Sequence, residues 1–173
     1  RQRRPANRRQ ALSASSASYL FSVQGRVALE TGANRGLGQV FARPLAAHGA
    51  TVVLSARSEA DLQKVADEIV KAGGKADIAA FDVQDEARAV AAIRAIPQKH
   101  GRLDILVNNA GIVLRKMAVD TPTDEFRNLI ETNLTGAFVI ARESGRIMLA
   151  QDYGRIVNLA SVMSIVGRAS VAA

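Results

Sequence analysis

Apolar residues recur along this chain in two alternating rhythms. Short runs of strand length occupy 26–31, 51–56, 76–81, 103–108 and 155–160, and stretches of helical character cover 36–48, 59–72, 85–96 and 123–149. The stretch 59–72 shows the helical pattern plainly, with Leu62, Val65, Ala66, Ile69 and Val70 on one face. Ser58 is placed to cap its start and Gly73-Gly74 to end it. Strand and helix in regular alternation predict an α/β fold, a doubly wound parallel sheet covered on both faces and built by right-handed crossovers. Ligands of such sheets collect at the carboxyl ends of the strands. The sequence shows no internal repeat and no second domain.

The residues with chemical potential sit at those ends. Thr31-Gly32-Ala33-Asn34-Arg35-Gly36-Leu37-Gly38 follows the apolar run Val27-Ala28-Leu29 and opens the first helix. A turn of this kind aims backbone N–H groups and a helix N-terminus at one place, which suits a dinucleotide pyrophosphate, although glycines so spaced also make a plain strand-to-helix turn. Asp82 ends the third run, Asn108-Asn109-Ala110-Gly111 the fourth, and Ser161 closes Arg155-Ile156-Val157-Asn158-Leu159-Ala160-Ser161. Asn133 lies in Glu131-Thr132-Asn133-Leu134-Thr135-Gly136. In this order and at these spacings, from about Gln24 to the last residue, the set resembles the short-chain dehydrogenase/reductase family.

The resemblance implies a Rossmann-type cofactor domain and a role for each position. Gly32, Gly36 and Gly38 admit the pyrophosphate and let the helix pack on the sheet, with Asn34 and Leu37 in the same loop. Asp82 accepts from the adenine amino group beside Val83, or alternatively caps the helix that follows, as Asp85 also could. Asn109 shapes the adenosine side, while Asn108 and Gly111 hold the turn after the fourth strand. Ser161 and Asn133 match the family's catalytic serine and asparagine, although a serine at a strand end and an asparagine in a helix also have ordinary structural uses. Cofactor choice is read from charge: Leu54-Ser55-Ala56-Arg57-Ser58 offers no acid for the ribose hydroxyls of NAD. Arg57 stands there instead, and Arg35 adds a second cation for a 2′-phosphate, so NADP is expected rather than NAD.

The implied activity is NADP-dependent interconversion of a carbonyl and a secondary alcohol by hydride transfer. The alternatives are a remnant that binds NADP without turnover and a degenerate partial gene product. Substrates from 3-oxoacyl thioesters to sugar acids, polyols and steroids all remain open. The family's Tyr-x-x-x-Lys is expected directly after Ala173; Tyr19 lies too early, and Tyr153 has Val157 four residues on in place of lysine. The expectation is therefore a domain truncated after its fifth strand, about three fifths of the family's length, that alone reduces no carbonyl.

Composition narrows the setting. An apolar share of 48% over 173 residues suits one packed domain, and the absence of cysteine excludes disulfides and thiolate metal sites. Of the net charge of +7, Arg1, Arg3, Arg4, Arg8 and Arg9 supply +5, and no acid precedes Glu30. A basic leader over 1–23 and a cofactor domain over 24–173 follow, and nucleic acid is not an expected partner. The leader reads as a disordered or non-native extension, an organellar transit peptide or an RNA-binding arm. No apolar run reaches the roughly twenty residues of a membrane span. A cytoplasmic protein is expected, with import through the leader as the alternative, and a homodimer or homotetramer when complete. His48 and His100 suit helix ends and form no metal cluster; Arg115 and Lys116 either steer an anionic substrate or sit in an exposed loop.

Two residues depart from the pattern. Glu30 stands in the first strand, where a buried carboxylate must be paired or protonated. Pro44 falls inside the first helix, where it removes a hydrogen bond and crowds the carbonyl of Val40, at about 3 kcal/mol.

Overall fold

The strand-length runs assemble into one five-stranded parallel sheet. The computed structural model describes residues 22–167 and 170, so the expected leader, with Tyr19, lies outside the described residues except for Ser22 and Val23. β1 (Val27–Thr31), β2 (Thr51–Ser55), β3 (Lys75–Ile78), β4 (Ile105–Asn108) and β5 (Arg155–Asn158) stand in the order β3-β2-β1-β4-β5. β1 is central, with Leu29 beside Val53 and Leu106.

Helices cover both faces. α1 (Gly36–Ala47) and α2 (Glu59–Lys71) pack Ala42, Ala46, Leu62, Val65 and Ile69 against Val52 and Leu54. On the other face α3 (Glu86–His100) brings Ala89, Ile93 and Ile96 onto Val27, Leu29, Val53 and Leu106. Val23, placed in the leader by composition, already packs against the core of this domain. Ser58 caps α2, its Oγ accepting from the Asp61 N–H at 3.3 Å.

The stretch expected as one helix over 123–149 is three segments in line. α4 (Thr123–Ile130) passes into a π-helical segment, Glu131–Gly136, and then α5 (Ala137–Ala150). Such widened turns occur often at functional sites, and this one carries Asn133. β3 is shorter than the apolar run 76–81, but the run still follows β2: the Ala79 N–H donates to Leu54 O at 2.9 Å and the Phe81 N–H to Ala56 O at 3.1 Å.

α3 continues past Pro97 to His100 instead of ending at residue 96. The extra turn is anchored from outside: Lys99 Nζ and the His100 ring bind Asp77, each at 2.8 Å. Pro44 likewise sits inside an unbroken α1, and its carbonyl accepts the His48 N–H at 2.9 Å. Glu30 is wholly buried between Leu54 and Val107, and neither carboxyl oxygen has a hydrogen-bond partner. Burial pushes its pKa up to about 9, so it is protonated at neutral pH.

Candidate functional site

At the carboxyl end of β1 the chain turns sharply. Gly32 has φ +69°, and a Cβ there would meet Asn109 Nδ2 at 2.9 Å. Gly38, in the first turn of α1, leaves no room at all: a Cβ would stand 2.2 Å from the Gly32 carbonyl oxygen. Gly38 thus sets how closely helix and turn approach. The turn is held from β4. Asn109 Nδ2 donates to Thr31 O at 2.8 Å, while Thr31 Oγ1 accepts the N–H groups of Asn109 and Ala110, each at 3.0 Å. α1 itself follows Arg35, whose side chain does not cap it, and has no acid in its first turn. Its N-terminal donors and the positive end of its dipole are left for an anion.

This turn forms one wall of a cavity of about 520 Å³, a size that suits a cofactor half. Gly32, Asn34, Arg35, Gly36, Leu37, Arg57, Asp82, Val83, Asn109 and Gly111, all singled out in the sequence, line it together. Gly38 lies behind the turn, and Asn133 and Ser161 are outside the lining. Ser58, expected only as a helix cap, also contributes, as do Phe81, Gln84, Ile112, Asn128 and Thr132, to which sequence reasoning gave no role in the site. Asp82, two residues earlier, could have drawn attention to Gln84; nothing local marks Asn128 or Thr132.

Arg57 follows β2 and is largely exposed, with Nη1 4.0 Å from Asp82 Oδ2. So loose a surface pair holds neither group firmly. Asp82 does not cap α3; Asp85 does, accepting the Arg88 N–H at 3.0 Å. Asp82 instead accepts the Gln84 N–H at 3.0 Å and keeps its carboxylate on the cavity.

Asn133 reaches back from the π segment to the loop after β4, where it binds the backbone of Ile112. Ser161 follows β5, which stops at Asn158 rather than at residue 160, on the same side of the sheet; its Oγ accepts the Met163 N–H at 3.1 Å and it is exposed. Tyr153 lies at the opposite, amino end of β5, with the Arg26 guanidinium 3.9 Å from its ring centre. Lys116 is paired to Glu125 at 2.6 Å, and Arg115 is exposed beside it. Among the described residues no group of His, Asp and Glu could hold a metal ion, and no helix is long and apolar enough to cross a membrane.

Residues 26–173 match the short chain dehydrogenase family. The chain belongs to that family. Gluconate 5-dehydrogenase of Gluconobacter oxydans is 37% identical over 88% of this chain and 60% of its own length. The crystal structure of a gluconate 5-dehydrogenase from Burkholderia cenocepacia, in complex with NADP and tartrate, superposes with a TM-score of 0.86 at 39% identity, covering 90% of this chain and 61% of that one. An NAD⁺-bound xylitol dehydrogenase superposes with a TM-score of 0.83 at 32% identity, over 86% and 58%. The short-chain dehydrogenase described here thus spans about 60% of the length of the relatives it matches.

Proposed function

We propose that this chain is the cofactor-binding part of an NADP-dependent oxidoreductase that interconverts a carbonyl and a secondary alcohol. One observation carries the reading: the uncapped N-terminus of α1, the glycine cradle, Asp82 and the cations Arg35 and Arg57 surround a single cavity. The cofactor fits because Gly36, at φ +57° with open space where a Cβ would stand, leaves the uncapped first turn of α1 bare to a phosphate. Gly36 and the first turn of α1 hold the pyrophosphate. Asp82 accepts from the adenine amino group and Val83 flanks the ring. Arg57 and Arg35 neutralise a 2′-phosphate, for which a guanidinium offers two parallel hydrogen bonds.

When bound, NADP supplies or removes the hydride. Ser161 orients and polarises the substrate oxygen, and Asn133 fixes the loop after β4 beside the reacting centre. The substrate is a polyhydroxylated carbonyl such as a keto sugar acid, a choice supported by the names of the gluconate and xylitol relatives. The protein associates as a dimer or tetramer; Leu134, Phe138 and Leu149 stand exposed along the π segment and α5 and support this.

The test is NADPH oxidation by the complete protein against keto sugar acids, ketoses and 3-oxoacyl thioesters. Turnover that falls by about a hundredfold or more in Ser161→Ala is expected. Tight NADP binding without turnover of any carbonyl would favour a binding protein instead.

A further inference from the structure

Gln84 joins two parts of the site that are distant in sequence. Its N–H donates to Asp82 Oδ1 at 3.0 Å, fixing the carboxylate on the cavity. Its side-chain amide donates to Asn128 Oδ1 and to Thr132 Oγ1, both at 2.7 Å. Thr132 is buried, donates its own hydroxyl proton to Asn128 O at 2.9 Å, and immediately precedes Asn133 in the π segment. Packing adds a second tie, since Gly136 lies so close to Val83 that a Cβ there would stand 2.7 Å from the Val83 carbonyl oxygen. Gln84 itself is exposed, so the hydrogen bonds are not needed to satisfy a buried amide.

We propose that Gln84 is a positioning residue that couples the adenosine end of the cavity to the placement of Asn133. This rests on the cofactor reading above and extends it. A ligand that engages Asp82 and Val83 immobilises the loop after β3. Gln84 passes that restraint to Thr132 and Asn128, and through them steadies the π segment that holds Asn133 on Ile112. The coupling is reciprocal: loosening Asn133 weakens binding at the adenosine end by the same factor. Filling one half of the cofactor site thereby orders the loop beside the other half.

Hydrogen exchange at the Ile112 amide, which donates to Asn133 Oδ1 at 2.8 Å, reads the far end directly. The probe is adenosine 2′,5′-bisphosphate, which carries the adenine and both phosphates but no nicotinamide. In the unaltered 173-residue chain a saturating amount should slow exchange at Ile112 at least fivefold. Gln84→Met, of similar length without donors, should still bind the probe but lose most of that slowing. Thr132→Val, which removes the acceptor at the other end, should lose it too. Equal slowing in the unaltered chain and in both variants overturns the coupling while leaving the cofactor site intact. Failure of the unaltered chain to bind the bisphosphate overturns the cofactor reading and the coupling with it.

Discussion

Asn133 and Ile112 exchange two hydrogen bonds: the Ile112 N–H donates to Asn133 Oδ1, and Asn133 Nδ2 donates to Ile112 O, each at 2.8 Å. A primary amide thus stands in for a paired strand residue and pins the stretch between β4 and Lys116. The widened turn at Glu131–Gly136 carries it.

Replacing Asn133 by Ala removes both bonds at an exposed position. The expected global cost is about 1 kcal/mol, while Ile112 amide exchange should accelerate much more than that figure alone implies, because only the loop opens. Denaturant unfolding and residue-level exchange measured on the same protein check this. Unchanged exchange at Ile112 would contradict the pinning role.

Glu30 makes stability depend on pH. Its folded pKa of about 9 exceeds the ordinary 4.5, so the folded state holds a proton that the unfolded chain releases. Its stabilising effect is complete below about pH 4.5, declines as pH rises toward 9 and then levels off. Between pH 5 and 8 the unfolding free energy should therefore fall relative to Glu30→Gln by about 1.4 kcal/mol per pH unit. Paired denaturation curves across that range test it, and a constant difference would show that the carboxyl is not buried as a neutral acid.

The glycines separate packing from conformation. Gly38→Ala would force a methyl group onto the Gly32 carbonyl, and it should lower the melting temperature and abolish NADP binding. Gly145→Ala, in the middle of α5 with open space around it, should raise stability by up to about 1 kcal/mol. Thermal melts with and without NADP distinguish the two.

Among the described residues β5 lies at one edge of the sheet, and Ile156 and Val157 are half exposed along it. Val157 and Leu159 also line an apolar cavity of about 420 Å³ with Val23, Phe41, Pro44 and Leu45. An open edge flanked by apolar surface favours pairing with another chain. Light scattering of the 173-residue chain should show self-association that grows with concentration. A monodisperse, cooperatively melting monomer would contradict this.

Much of the architecture was legible because alternation of strand and helix is a long-range pattern that local detail rarely disturbs. Leu62, Val65 and Ile69 lie where their spacing put them, and Ser58 caps where a serine ahead of that run should. The motif residues around the cavity could be read because strand ends in a doubly wound sheet converge. The far wall could not: Asn128 and Thr132 reach it only through the π segment, whose extra residue per turn rotates side chains away from the face that a regular helix would give. The last turn of α3, beyond residue 96, was hidden for a related reason, since the ties of Lys99 and His100 to Asp77 that hold it span more than twenty residues.

The cavity's preference for a 2′-phosphate is the central claim, and the ratio of NADP⁺ to NAD⁺ affinity tests it most directly. Arg57 is largely exposed and only loosely held at 4.0 Å by Asp82, and with Arg35 it borders the same space. Calorimetric titration of the chain should give NADP⁺ a dissociation constant at least tenfold lower than that of NAD⁺, a gap of about 1.4 kcal/mol. Arg57→Asp should reverse the order. Equal affinities in the unaltered chain would contradict the account.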